Sequence, residues 1–190
     1  MRYCYDTEFL EDGRTIELIS IGIVAEDGRE YYAVNADMPV GRIIADDWLM
    51  ANVWPHLPLA DDDGSGLSLL NLRSARVKPK WVIANEVAEF LLAGTEFGPD
   101  DDRSTMTTEP PELWAYFAAY DHVALAQLWG KMIDRPVGVP MYTHDLRQEM
   151  DRLGIGSSLV PKPLNQHHAL ADARWNMSML RVLDKRREAS

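Results

Sequence analysis

The hydrophobic pattern changes period along the chain, from the two-residue alternation of strands to the 3,4 spacing of helices. Residues 2–9 (Arg2-Tyr3-Cys4-Tyr5-Asp6-Thr7-Glu8-Phe9) are rich in aromatic β-formers and read as a strand whose end carries two carboxylates. Glu11-Asp12-Gly13-Arg14 is a turn, and a β-branched strand follows over 16–25, apolar on both parities in its second half and therefore central. Glu26-Asp27-Gly28-Arg29 turns the chain again into a third strand over 30–35. Three strands joined by two tight turns predict an antiparallel meander. Helical signals then take over. Asp46-Asp47 caps a short helix that Pro55 ends. Residues 60–80 read as a loop with a Gly-Ser centre, and 81–92 as an amphipathic helix with apolar residues at 83, 87, 90 and 91. A turn-rich connection spans 95–111, then come a buried strand over 112–120 and a helix from Asp121 to Lys131, broken at Gly130. A short strand near Met141-Tyr142, a helix from Asp145 to Leu153 and a last helix from His167 to about Arg187 complete the order.

The expectation is one α/β domain over 1–190, a mixed five-stranded sheet flanked by helices. Of the 190 residues 46% are hydrophobic and 26% charged, ordinary globular values that exclude disorder for the bulk of the chain. No apolar run reaches the length of a membrane span, no signal segment is read, and the single cysteine, Cys4, cannot form an internal disulfide. The expected place is the cytoplasm. The net charge is −11, and residues 1–110 hold 9 basic against 21 acidic side chains. A broad basic surface for passive nucleic-acid binding is thereby excluded. The Asp61-Asp62-Asp63 and Asp100-Asp101-Asp102 runs lack the alternation of a calcium loop and read as solvated loops.

Four carboxylates stand where apolar residues are expected. Asp6 and Glu8 share one face of the first strand, because side chains two apart point the same way. Asp121 follows the apolar run Phe117-Ala118-Ala119-Tyr120, and Asp172 lies early in the last helix near its apolar face. Clustered carboxylates repel and lose hydration, and divalent cations such as Mg²⁺ or Mn²⁺ are the usual remedy. Two such ions can clamp the attacking and leaving oxygens of a phosphodiester. His167 precedes Asp172 by five residues, too far round a helix to share its face, so it falls at or before the first turn. From there an imidazole can take a proton from an attacking water. Each residue alone has a structural explanation; the ordered set does not.

That set, Asp6-Thr7-Glu8, then Tyr120-Asp121, then His167-His168-Ala169-Leu170-Ala171-Asp172, resembles the DEDD exonuclease superfamily over nearly the whole chain. Within it the pattern is similar to the His-containing branch of RNase T, oligoribonuclease and proofreading exonucleases. The resemblance implies a ribonuclease H-like fold and hydrolysis of single-stranded RNA from the 3′ end. It also implies two metal ions held by Asp6, Glu8, Asp121 and Asp172, His167 as general base, and a homodimer. Asp6 would bridge both ions, and Asp121 would serve the second partly through water. Asp6-Thr7-Glu8-Phe9 with the acidic insertions further resembles small exoribonucleases that take adenylate-rich ends. One departure is visible: the family's Asn-x-x-Phe before the second Asp is here Phe117-Ala118-Ala119-Tyr120.

Substrate residues are less determined. Phe9 next to the carboxylates either stacks on the 3′-terminal base or fills the core. His168 is expected to face solvent or a neighbouring loop. Arg73, Arg76, Lys78 and Lys80, four cations with no acid between them, are either a solvated loop and helix start or a grip on the RNA backbone. The same chemistry on single-stranded DNA, and a catalytically dead binding module, are the competing functions.

Overall fold

The structure is a computed structural model and describes residues 1–61, 64, 66–96 and 108–188. Its strands are β1 (Arg2–Glu11), β2 (Ile16–Ala25), β3 (Glu30–Asn35), β4 (Val77–Lys78), β5 (Glu112–Ala115) and β6 (His144–Asp145). Its α-helices are α1 (Val40–Ile44), α2 (Asp47–Asn52), α3 (Lys80–Leu91), α4 (Ala119–Ala126), α5 (Leu146–Arg152) and α6 (Ala169–Glu188). The strands make a six-stranded sheet in the order β4-β3-β2-β1-β5-β6. The meander β1-β2-β3 is antiparallel as expected, while β4, β5 and β6 join in parallel. The architecture is α/β with helices packed against a mixed sheet.

Sequence and structure differ at the short elements. The sheet has six strands rather than five, because β4 pairs beside β3 through Val34 N–H to Arg76 O and Ala36 N–H to Lys78 O, both 2.8 Å. Two residues inside a run of cations carry no period, so 60–80 reads as loop from sequence. The strand expected over 112–120 stops at Ala115, since Phe117 turns the chain with a φ of 57° and α4 starts at Ala119. The last strand falls at His144–Asp145 rather than Met141-Tyr142, and α1 was not foreseen. Asp62, Asp63 and Ser65 of the acidic loop and residues 97–107 of the connection, including Asp100-Asp101-Asp102, lie outside the described residues.

The alternation of β1 divides the core. Tyr3 and Tyr5 pack with Ile83 and Val87 of α3 and with Ala124 and Leu125 of α4 on one face. Cys4 packs with Leu146 and Met150 of α5 and with Met177, Leu180 and Leu183 of α6 on the other. A third cluster, Leu10, Ile19 and Val34 with Ile43, Leu49 and Trp54, closes the end of the sheet under α1 and α2. Asp6 and Glu8 share the parity of Cys4 and so face α6, whereas Thr7 faces α4. A register shift between Glu8 and Phe9 breaks the ladder where the carboxylates end, as bulges beside functional sites do.

Gly22 decides how closely α6 approaches. It sits opposite Asp6 in the β1–β2 register, and a Cβ built there would lie 2.3 Å from the backbone nitrogen of Leu170. The start of α6 therefore rests directly on the strand backbone. Gly22→Ala should cost about 3 kcal/mol or more, because backbone cannot yield as a side chain does. In a chain of this size that lowers Tm by about 6–12 °C, and activity should fall with it as α6 is displaced. Gly28→Ala, in an open turn at a φ of 94°, should cost about 1 kcal/mol and spare activity. Equal effects in thermal melts of the two variants would refute the close-approach argument.

Candidate active site

β1 and α6 bring three of the carboxylates together. Asp6, Glu8 and Asp172 each place a ligand-capable atom so that all lie within 4.8 Å of one another. They stand in a cavity of about 570 Å³ whose lining also includes Phe9, Trp48, Phe117, Tyr120, Asp121 and His167. Glu8 and Asp121 are buried, at 7% exposure each. Asp121 enters from α4, but its Oδ1 is occupied: it accepts from the Thr7 backbone N–H at 2.8 Å and from the Thr7 hydroxyl at 2.7 Å. Its place is therefore beside the triad, tied to the odd-numbered face of the strand that carries Asp6 and Glu8.

His167 precedes α6 in a left-handed conformation, φ 65°, and its backbone N–H donates to Asp172 Oδ2 at 2.7 Å. The same carboxylate thus fixes the approach to the helix, two residues ahead of it, and lies in its first turn, where the helix dipole favours negative charge. The His167 ring meets Trp48 of α2 edge-on, with centroids 4.9 Å apart, so α2 carries one wall of the cavity. Asp46 caps α2 by accepting from Leu49 N–H at 2.9 Å, the role read from sequence.

Burial and mutual repulsion act on these acids together. Burial first, then Asp121, Glu8 and Asp172, hold the Asp6 carboxyl well above the usual range. Burial and Asp172 push Glu8 up to about 8. Burial pushes Asp121 up to about 6 against the opposing hydrogen bonds from Thr7, and burial also raises Asp172. All three clustered donors are hard oxygens short of positive charge, a set that fits a divalent cation.

Other residues expected at the site fall in different places. Phe9 lines the cavity and stacks on Tyr120, with centroids 5.9 Å apart and planes at 11°. His168 turns away from the cavity and stacks on Tyr32 of β3 at 4.5 Å. Arg73, Arg76, Lys78 and Lys80 are not among the lining residues. Lys78 is bound to Glu86 at 2.6 Å, and Arg76 lies over the Tyr32 ring. Sequence reasoning did not single out Trp48, Lys162 or Asn176. Asn176 is one turn beyond Asp172 on α6, is 1% exposed, and donates from Nδ2 to Tyr5 O at 2.9 Å, fastening α6 to β1. An Asn four residues after a suspected ligand, in an apolar helix face, was the available signal.

Two curated proteins are similar to this chain, one from each of two strains of Mycobacterium tuberculosis, and each is named a 3′-5′ exoribonuclease. Each is 42% identical over 183 residues, spanning 96% of this chain and 93% of its own length. No protein-family model matches the chain.

The raised acids make stability depend on pH in a definite sense. Glu8 stays protonated in the folded chain at pH values where the unfolded chain has ionised, so the folded state binds more protons. Its contribution is neutral below about pH 4.5 and turns increasingly unfavourable up to about pH 8. Without divalent ions, Glu8→Gln should therefore melt above the wild type, with a gap that widens across this window. The scale is about 2–4 °C for each kcal/mol of repulsion removed. Added Mn²⁺ should stabilise the wild type more than the variant. A gap that narrows as pH rises would sink this account.

Proposed function

The chain belongs to the family of the 3′-5′ exoribonucleases, and on that premise we propose a metal-dependent exonuclease that shortens single-stranded RNA from its 3′ end. The products are nucleoside 5′-monophosphates. The observation that carries this reading is the convergence of Asp6, Glu8 and Asp172 within 4.8 Å in a cavity that His167 also lines. In this reading the chain is a one-domain, ribonuclease H-like enzyme of the His-containing DEDD branch, cytoplasmic and homodimeric. It resembles the polyadenylate-specific exoribonuclease RNase AS, and adenylate-rich ends are its substrates in this reading. Among the described residues no helix is long and apolar enough to cross a membrane.

Asp6, Glu8 and Asp172 would hold Mg²⁺, or Mn²⁺ in its place, and Asp121 would support a second ion. Bound there, such ions supply positive charge to the phosphate and lower the pKa of the attacking water. His167 accepts that water's proton as the bond to phosphorus forms. Its backbone N–H on Asp172 and its ring edge on Trp48 hold it in position for this. Phe9, backed by Tyr120, offers a face for the terminal base.

Digestion of homopolymer RNAs and a matching DNA with Mg²⁺ tests the reading. Oligoadenylate should shorten one nucleotide at a time from the 3′ end and release 5′-AMP, faster than other homopolymers and faster than the DNA. Faster loss of the DNA would move the substrate to single-stranded DNA, and no digestion of any polymer with either metal would overturn the reading. Asp6→Asn or Asp172→Asn should abolish activity and Mn²⁺ binding together. His167→Ala should lower kcat by about 10²–10⁴-fold while Mn²⁺ affinity, measured by calorimetry, stays near normal. His168→Ala should lose thermal stability through its stack on Tyr32 and keep kcat within about tenfold of wild type. A larger kcat loss at His168 than at His167 would transfer the general-base role.

A further inference from the structure

The cavity is acidic, and its intended substrate is a polyanion. Asp6, Glu8, Glu11, Asp46, Asp121 and Asp172 all line it, and among the described lining residues Lys162 is the one Lys or Arg. Its position is built rather than incidental. The ammonium lies 3.5 Å above the centroid of the Trp175 ring and 4.6 Å from that of Tyr116. Trp175 is buried and follows Asp172 by three residues, so it sits on the same face of α6, one turn along. The Trp175 Nε1–H donates to Val160 O at 3.0 Å, tying the strap that carries Lys162 to that helix. Pro161 and Pro163 flank Lys162 and restrict the strap's backbone. Burial pulls the Lys162 ammonium below its ordinary pKa, and the nearby Asp172 and Asp6 act in the opposite sense.

An aromatic platform holds a cation by its charge and leaves its N–H donors uncommitted. A lysine locked in an ion pair, as Lys78 is on Glu86, has those donors engaged. The Lys162 ammonium is therefore presented beside the carboxylate triad with its hydrogen-bonding capacity available for an anion that arrives there.

We propose that Lys162 is a substrate-contacting residue that grips a phosphate of the RNA strand in this cavity, on a platform of Trp175 and Tyr116. The inference rests on the exoribonuclease reading and adds to it the fixed cation that the acidic walls otherwise lack. It also separates two roles by sign. A cation close to Asp172 and Asp6 opposes divalent ions and attracts phosphate, so removing it should weaken phosphate binding without weakening that of divalent ions.

Lys162→Met, which keeps the stem over Trp175, and Lys162→Arg provide the test. In a His167→Ala background that slows turnover, a fluorescent oligoadenylate with Mg²⁺ should bind Lys162→Met about 10–100-fold more weakly, the size of one charge-assisted hydrogen bond. The slope of log affinity against log salt should shrink by about 0.7, one phosphate contact on a single strand. Mn²⁺ affinity by calorimetry should hold or rise, and Lys162→Arg should recover most of the RNA affinity. A fall in Mn²⁺ affinity parallel to that in RNA affinity would assign Lys162 a structural role and overturn the proposal. Unchanged RNA affinity and slope would overturn it too, while digestion by the wild type left the exoribonuclease reading standing. A wild type that neither binds nor digests RNA would remove both.

Discussion

The close contact between two backbones at Gly22 organises the site. Without a Cβ at that position, the first turn of α6 lies against β2, and Asp172 comes within reach of carboxylates on the neighbouring strand β1. Any side chain at position 22 would collide with the Leu170 backbone and push the helix off the strand. The remaining ties work from that seating. Asn176 fastens α6 to the carbonyl of Tyr5, and Thr7 holds Asp121 from the other face of β1. One strand, Tyr5 to Phe9, thus reads out to both helices. Its odd positions secure the frame, and its even positions carry charge.

That arrangement sets stability against function. A chain selected for stability alone would not place Asp6, Glu8 and Asp172 within 4.8 Å in partly desolvated surroundings, because each raises the cost of ionising the others. The cost is reduced by local devices rather than removed. Asp172 takes the N–H of His167 and lies in the first turn of α6, where the helix dipole favours negative charge, and Asp121 accepts two bonds from Thr7. Divalent ions would supply the missing charge, coupling cofactor binding to folding. Far from the cavity the opposite logic holds. Glu149, paired with Arg152 and Arg187, is held down to about 2 by the two guanidinium groups.

What could be read from sequence tracks how local the signal is. The two-residue period placed Asp6 and Glu8 on one face, and the five-residue interval placed His167 ahead of the helix that holds Asp172. Both follow from backbone geometry within a few residues. β4 and α1 escaped because two strand residues in a cationic run, or five helical residues holding Val40, Ile43 and Ile44, carry no period of their own. Lys162 escaped for a different reason. Its platform is Trp175, thirteen positions on, and nothing near Lys162 announces that contact. Within the run from Arg73 to Lys80, a conspicuous local pattern, Lys78 pairs with Glu86 and Arg76 lies over Tyr32.

Position 117 joins the departure from the family pattern to the shape of the cavity. The resemblance calls for Asn there, a residue that enters the left-handed region readily, and the chain does take that conformation, with a φ of 57°. A phenylalanine held so stores strain on the order of 1–3 kcal/mol. The turn is imposed from outside: the Ala118 N–H donates to Asp145 Oδ2 at 3.0 Å, and Tyr116 packs against Trp175, so both neighbours are committed. The side chain at this turn is a ring where the family pattern has an amide, and it is 62% exposed at the cavity wall. The strain is maintained by its surroundings and ends in an exposed aromatic ring that lines the same cavity as Phe9 and Tyr120. The buried carboxylate and the exposed ring thus come from one turn, because the backbone that starts α4 and delivers Asp121 also presents Phe117.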